Sequence, residues 1–224
     1  RGHARVAAGA VILTLSFYAK QTGIFYVGLG GAIVLLASWR RAITYVAVSG
    51  VLGLGGTALL NARTHGWYWT YISRIHRAHD FSMHRFWHAY GEILWHFPAM
   101  TLVVIATLGV VGYTYLRRPA AGRRRELPRQ VRPFLLWTAA YAVSIVVGAV
   151  GIGTEWSVKN AYIPAFLHGA FAAGAALPAL AACVGILWAA RPRAPLVVHG
   201  VPAAAAIALG ATLLHAGWQP QIYI

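Results

Sequence analysis

The chain has 224 residues, 59% of them hydrophobic and only 10% charged, with a formal net charge of +15. Soluble domains carry roughly 25% charged residues, so a water-soluble globule is excluded, and several apolar runs approach the ~20 residues that cross a bilayer. The basic residues fall in short clusters between those runs, which is the pattern of membrane topology. A nucleic-acid surface would gather them along one continuous face.

Seven apolar segments follow one another at roughly 5–19, 24–39, 42–60, 98–116, 133–153, 161–190 and 196–215. Backbone groups in hydrocarbon must find partners within the protein, so each segment is either a helix or a strand of a closed barrel. The runs are continuous and do not alternate, which selects helices. The expected fold is therefore an all-α, polytopic transmembrane helical bundle of about seven spans, a single membrane domain over 1–224. The first two segments are short for a full crossing, which favours tilt or partial insertion. As one helix, 161–190 would reach about 45 Å, and Pro164 and Pro178 are its expected kink sites. Both ends are expected to continue, making this the C-terminal part of a larger membrane protein. The single cysteine, Cys183, excludes an intrachain disulfide.

Lysines and arginines divide unequally between alternate loops. Thirteen fall on the side of Arg5, Arg40, Arg41 and the cluster at 117–132, and six on the side of Lys20, Arg63, Arg74, Arg77, Arg85 and Lys159. The heavy side is expected in the cytoplasm. The protein then belongs to the plasma (inner) membrane, with residues 61–98 facing the exterior or periplasm.

That outer segment, 61–98, concentrates the polar chemistry. It holds six of the ten histidines, four of the nine tryptophans and two of the four acids. Trp67, Tyr68, Trp69 and Tyr71 have the composition of an interfacial aromatic belt. Met83, Phe86, Trp87, Tyr90, Leu94 and Phe97 recur at three- and four-residue spacing, which predicts one apolar stripe of an interfacial amphipathic helix. His84, His88 and Glu92 form a neighbouring polar stripe. Arg74, Arg77 and Arg85 sit where topology disfavours positive charge, and lipid phosphate is the anion that guanidinium groups bind bidentately.

Metal chemistry competes with this reading. His76, His79 and Asp80, and His84 with His88, have ligand-like spacing. A membrane di-iron enzyme would need further histidine boxes on the cytoplasmic side, and a haem would need paired histidines on facing spans beyond His168, His199 and His215. No cofactor is firmly implied, and a divalent metal stays open. Glu155 and Lys159, four apart in a short outer loop, read either as a solvated ion pair or as a second wall of an outer site.

The turn Lys20-Gln21-Thr22-Gly23 separates the first two apolar segments, with Gly23 expected to supply backbone freedom. The phrase Ser16-Phe17-Tyr18-Ala19-Lys20-Gln21-Thr22-Gly23-Ile24-Phe25 resembles multi-span glycosyltransferases of the GT-C fold. These use polyprenyl-phosphate sugars and include the dolichyl-phosphate-mannose and aminoarabinose transferases. The likeness continues through Thr64-His65-Gly66-Trp67-Tyr68-Trp69, Arg74-Ile75-His76-Arg77-Ala78-His79-Asp80 and Lys159-Asn160-Ala161-Tyr162. It implies an enzyme of the cell envelope whose partners are a polyprenyl-phosphate-linked sugar, membrane lipid and an acceptor the sequence does not identify, with no nucleic acid. It also implies substrate-binding roles: Lys20, Arg74 and Arg77 on the lipid phosphate, with Arg85 second to them, and Gln21 beside Lys20 in the turn. His76, His79 and Asp80 would orient sugar or acceptor. The family carries its catalytic acid in an early outer loop, and no acid precedes Asp80. The catalytic residue is expected upstream of Arg1, so this stretch alone would bind and not turn over. Two other functions fit the composition: a carrier for an anionic lipid or solute, and a histidine-ligated metal or haem oxidoreductase. A structural anchor without chemistry fits less well, because the polar groups are clustered outside.

Overall fold

The computed structural model describes residues 2–75, 79–117, 127–155, 159–189 and 194–217. His76, Arg77 and most of the arginine cluster at 117–132 lie outside the described residues. Among the described residues, five helical stretches are long and apolar enough to cross a membrane: Trp39–Arg63, Pro98–Arg117, Val131–Gly153, Lys159–Trp188 and Leu196–His215. The chain is thus an all-α integral membrane protein, with a single isolated bridge, Phe81 to Thr154, among the described residues. It forms two compact units, residues 1–87 with 149–161, and residues 88–148 with 162–224.

In the first unit, α1 (Gly2–Ala19) and α2 (Gly23–Ala37) make an antiparallel pair, and both pack on α3 (Trp39–Gly50). The pair is joined by the Lys20 turn, where Gly23 N–H donates to Lys20 O at 2.7 Å and Lys20 N–H to Ser16 O at 3.0 Å. Gly23 does not adopt a left-handed φ. It is needed for a different reason: a Cβ there would lie 2.5 Å from the backbone of Ser16 and Phe17. Close approach, and not conformational freedom, fixes the glycine.

From α3 the chain continues through a π-helical turn, Val51–Gly55, into α4 (Gly56–Arg63). A π turn shifts carbonyls off the regular ladder, and here the Tyr18 hydroxyl meets them, lying 2.6 Å from Leu52 O and 2.8 Å from Gly53 O. A Cβ on Gly56 would overlap that hydroxyl. The glycine run thus shapes a pocket for one tyrosine. α5 (Trp67–Trp69) and a second π-helical stretch, Thr70–Ile75, follow.

α6 (Met83–His96) starts at Ser82, whose hydroxyl accepts the Arg85 amide at 3.3 Å as N-cap serines do. Its buried positions are Ala89 and Ile93, whereas Met83 and Trp87 are exposed. The rest of the anticipated stripe, Phe86, Tyr90, Leu94 and Phe97, is half-buried on the side of Ala89 and Ile93. In the second unit α7 (Pro98–Arg117), α9 (Ile163–Trp188) and α10 (Ala194–Gly217) pack together, with α8 (Val131–Gly153) contributing Tyr141 and Ser144. The buried face of α9 runs through Ala165, Gly169, Ala172, Ala176 and Cys183, a small-residue seam that lets backbones approach. Pro164 begins α9 and does not kink it, and the helix runs on through Pro178.

Replacing Gly23 with Ala is expected to lower stability by about 1–3 kcal/mol through overpacking, or roughly 2–4 °C in Tm per kcal/mol. Gly28, where an added Cβ meets nothing within 4 Å, is the control. Thermal unfolding in detergent should show Gly28→Ala unchanged or slightly more stable, because alanine favours the helix.

Candidate functional site

The end of α4 organises the candidate site. Gly66 N–H donates to Asn61 O at 2.8 Å and His65 N–H to Ala62 O at 3.2 Å, the paired bonds of a Schellman helix stop. That motif requires a left-handed residue, usually glycine, yet His65 occupies it with φ 50° and Gly66 follows with φ 88°. The Thr64 hydroxyl donates to Leu60 O at 2.8 Å and accepts the Tyr68 amide at 2.9 Å. It closes one helix and opens the next.

Asn61 spans the same turn with its side chain. Its Oδ1 accepts the backbone N–H of Trp69 at 2.9 Å. A backbone amide can only donate, so the orientation of the Asn61 amide is fixed and Nδ2 is left with its two N–H donors. Asn61, His65, Thr70 and Arg74 surround a cavity of about 310 Å³, walled by Trp67 and Trp69. Thr70 and Arg74 share the second π-helical stretch. Among the described residues no carboxylate lines this cavity. Its side-chain groups are a guanidinium, an amide N–H₂, a hydroxyl and an imidazole. That set suits a group with several acceptor oxygens and negative charge, such as a phosphate.

A second, larger cavity of about 560 Å³ lies in the same unit. It is an apolar groove between α1, α2 and α3, lined among others by Phe17, Val27, Gly28, Gly50 and Trp69. Gly28 and Gly50 leave open space where other residues would put a side chain. Trp69 belongs to the wall of both cavities. The groove and the donor-lined pocket therefore share one residue of their walls.

The sequence-derived residues are distributed around this arrangement. Arg74 is in the polar pocket. Lys20 is exposed and Gln21 half-buried in the α1–α2 turn. Tyr18, two residues earlier, interacts electrostatically with Tyr68 next to Trp69. Burial is the main cause raising the Tyr68 phenol above its ordinary value of 10, and the Thr57 side chain hydrogen-bonds to it. Tyr68 consequently remains a neutral donor at any physiological pH. Asp80 is exposed, and its backbone carbonyl accepts the Glu155 amide at 3.0 Å. His79 is half-buried, and Arg85 lies in the first turn of α6. No hydrogen bond or ion pair joins Lys20, Asp80 or Arg85 to the Arg74 pocket among the described residues. His76 and Arg77 cannot be placed, lying outside the described residues.

Asn61 and His65 were not among the residues the sequence singled out for the site. Their signal was the helix stop Thr64-His65-Gly66, whose glycine marks the end of α4. The metal reading finds no cluster of three His, Cys, Asp or Glu among the described residues. In the second unit, Glu92 accepts a hydrogen bond from the Tyr162 hydroxyl at 2.8 Å, with His88 Nδ1 4.0 Å away. This places Glu92 in a structural contact between α6 and the start of α9. No protein-family model, curated protein or solved structure matches the chain.

Two substitutions separate the turn's stability from its chemistry. His65→Gly removes the strain of a left-handed non-glycine residue and should stabilise the protein by about 0.5–1 kcal/mol, read as a higher Tm. Asn61→Asp keeps the acceptor for Trp69 but replaces the two donors with negative charge. It should fold, by circular dichroism and gel filtration, yet lose affinity for short-chain alkyl phosphates measured by calorimetry.

Proposed function

We propose that this chain is the membrane-embedded, donor-binding part of a glycosyltransferase that takes its sugar from a polyprenyl phosphate. One observation carries the reading: a donor-lined pocket of headgroup size and an apolar groove share Trp69. An amphiphile with an anionic head and a long hydrocarbon chain suits both cavities at once, the groove receiving the part of the chain next to the head. The groove takes the chain, and Asn61, Thr70 and Arg74 hold the phosphate oxygens. The resemblance of the Lys20 turn and the tryptophan segment to polyprenyl-phosphate-dependent transferases supports the same assignment. The pocket would lie at the exterior or periplasmic face, as the distribution of basic residues favours.

In such a reaction an acceptor hydroxyl attacks the anomeric carbon, the bond from that carbon to the phosphate oxygen breaks, and the electron pair leaves with the polyprenyl phosphate. Charge grows on the leaving phosphate as the bond lengthens. Arg74 and the Asn61 amide stabilise that charge more strongly in the transition state than in the bound donor. The hydroxyl proton needs a carboxylate base, and no residue of this chain is assigned to that role.

In the full-length protein in proteoliposomes, Arg74→Ala should reduce kcat/KM for sugar transfer by about 100-fold, as loss of a charge-assisted phosphate contact does. Gly50→Leu, which fills open space in the groove, should raise KM for a long-chain polyprenyl donor and leave a short-chain donor unaffected. Turnover unchanged by both substitutions would rule the reading out. A carrier for the same lipid is the second reading, favoured by His168, which lies in a membrane-spanning helix, bonds Ser144 at 2.7 Å and stacks on Trp137. Intramembrane polar groups of this kind are typical of carriers. Translocation of the donor with no sugar released would decide for it.

A further inference from the structure

The far end of the first unit carries a second cationic site that the donor pocket does not use. The N-terminal turn of α1 and the first two turns of α3 meet there: His3 Nδ1 is 2.8 Å from Thr44 Oγ1, and the Arg41 guanidinium lies against Gly2, where a Cβ would be only 3.0 Å from it. Arg5 projects from the same end of α1, and Arg40 from the same turn of α3. All three arginines are exposed. Trp39 is 62% exposed, and Arg40 lies over its ring at 5.5 Å. A tryptophan and arginines at a helix end are the groups that settle at headgroup level.

Charge balance is the informative part. Residues 1–79 contain no Asp or Glu at all. Among the described residues no ion pair joins a carboxylate to Arg5, Arg40 or Arg41. Arg40 and Arg41 also occupy the first turn of α3 with no acid beside them, where the helix dipole already opposes positive charge. Three exposed arginines at the adjoining ends of two helices thus have no carboxylate partner among the described residues. They are separated from the donor pocket by the length of the Trp39–Arg63 span, about 37 Å of helix.

We infer that this end of α1 and α3 is a binding site for the phosphodiester headgroup of an anionic phospholipid in the leaflet it faces. Arg5 and Arg41 contact the phosphate oxygens, and Arg40 with Trp39 fixes the depth of the headgroup. Anionic lipid is the occupant because the charged groups sit where two apolar helices end, flanked by an exposed tryptophan. That surface presents cations to the membrane interface and not to a water-filled cleft. Each arginine should contribute about fivefold to the preference for an anionic headgroup, roughly a hundredfold for the three together.

The test is native mass spectrometry of the protein equilibrated in micelles holding equimolar phosphatidylglycerol and phosphatidylcholine. The wild type should retain phosphatidylglycerol in large excess, and the triple variant Arg5→Gln, Arg40→Gln, Arg41→Gln should approach parity. Arg63→Gln, at the opposite end of the span, and the charge-conserving Arg5→Lys, Arg40→Lys, Arg41→Lys variant should both keep the preference. A thermal transition in phosphatidylcholine alone that matches the wild type shows that the Gln variant is folded. The inference is overturned if the Gln variant keeps the preference, if the Lys variant loses it, or if inorganic phosphate alone reproduces the stabilisation given by phosphatidylglycerol. Sugar transfer does not enter this readout, so the two proposals fail independently.

Discussion

A polypeptide that leaves regular helical geometry within or beside a membrane must find new partners for its displaced amides and carbonyls. In the first unit Tyr18 and Asn61 do this, beside the Thr64 hydroxyl. The Tyr18 hydroxyl bonds Leu52 and Gly53 where the helix widens into a π turn, and the Asn61 amide bonds Trp69 where the helix stops and restarts. Both irregularities feed the candidate site. The π turn brings Gly50 and Gly53 to the wall of the apolar groove, and the helix stop swings Trp69 between groove and polar pocket. These side-chain bonds, together with the Thr64 hydroxyl and the left-handed turn at His65 and Gly66, hold the irregular backbone that walls both cavities.

The second unit is assembled by a different rule. Alanine and glycine on one face of α9 allow α7 and α10 to approach closely, and some of the polar groups inside find one another, although the buried hydroxyls of Thr107 and Thr138 have no hydrogen-bond partner among the described residues. Thr101 donates to Leu94 O at 2.6 Å and so receives the Tyr141 hydroxyl at 3.1 Å. Ser144 meets His168. Such pairs are modest in energy, about 0.6 kcal/mol on average within membranes. They nevertheless fix which faces meet in a bundle where apolar surface alone would leave rotation undetermined.

Much of this architecture could be read from the chain. Apolar run length gave the helices nearly to their ends, because a membrane imposes a length rule that a soluble fold does not. The Lys20 turn and Arg74 stood out because polar residues are scarce. Three features were hidden. The π turn at 51–55 depends on Tyr18, thirty-four residues away, so no local signal predicts it. The role of Gly23 rests on a backbone contact across the turn, which looks identical in sequence to a conformational role. Asn61 at the end of an apolar run resembles any interfacial polar residue until its partner, eight positions on, is known. Local patterns report length and polarity, whereas these features arise from contacts between segments.

The one cysteine of this chain, Cys183, is fully buried in the α9 seam. Its surroundings exclude water and leave the exterior of the chain chemically silent toward maleimides. A single cysteine introduced at the α1–α2 turn or at the start of α3 would then be the sole reactive thiol. Membrane-impermeant and permeant reagents applied to intact cells would report which end of the first unit faces outward, without removing any native residue from the packed interior. The same small-residue packing that holds the second unit together makes the protein's orientation directly measurable.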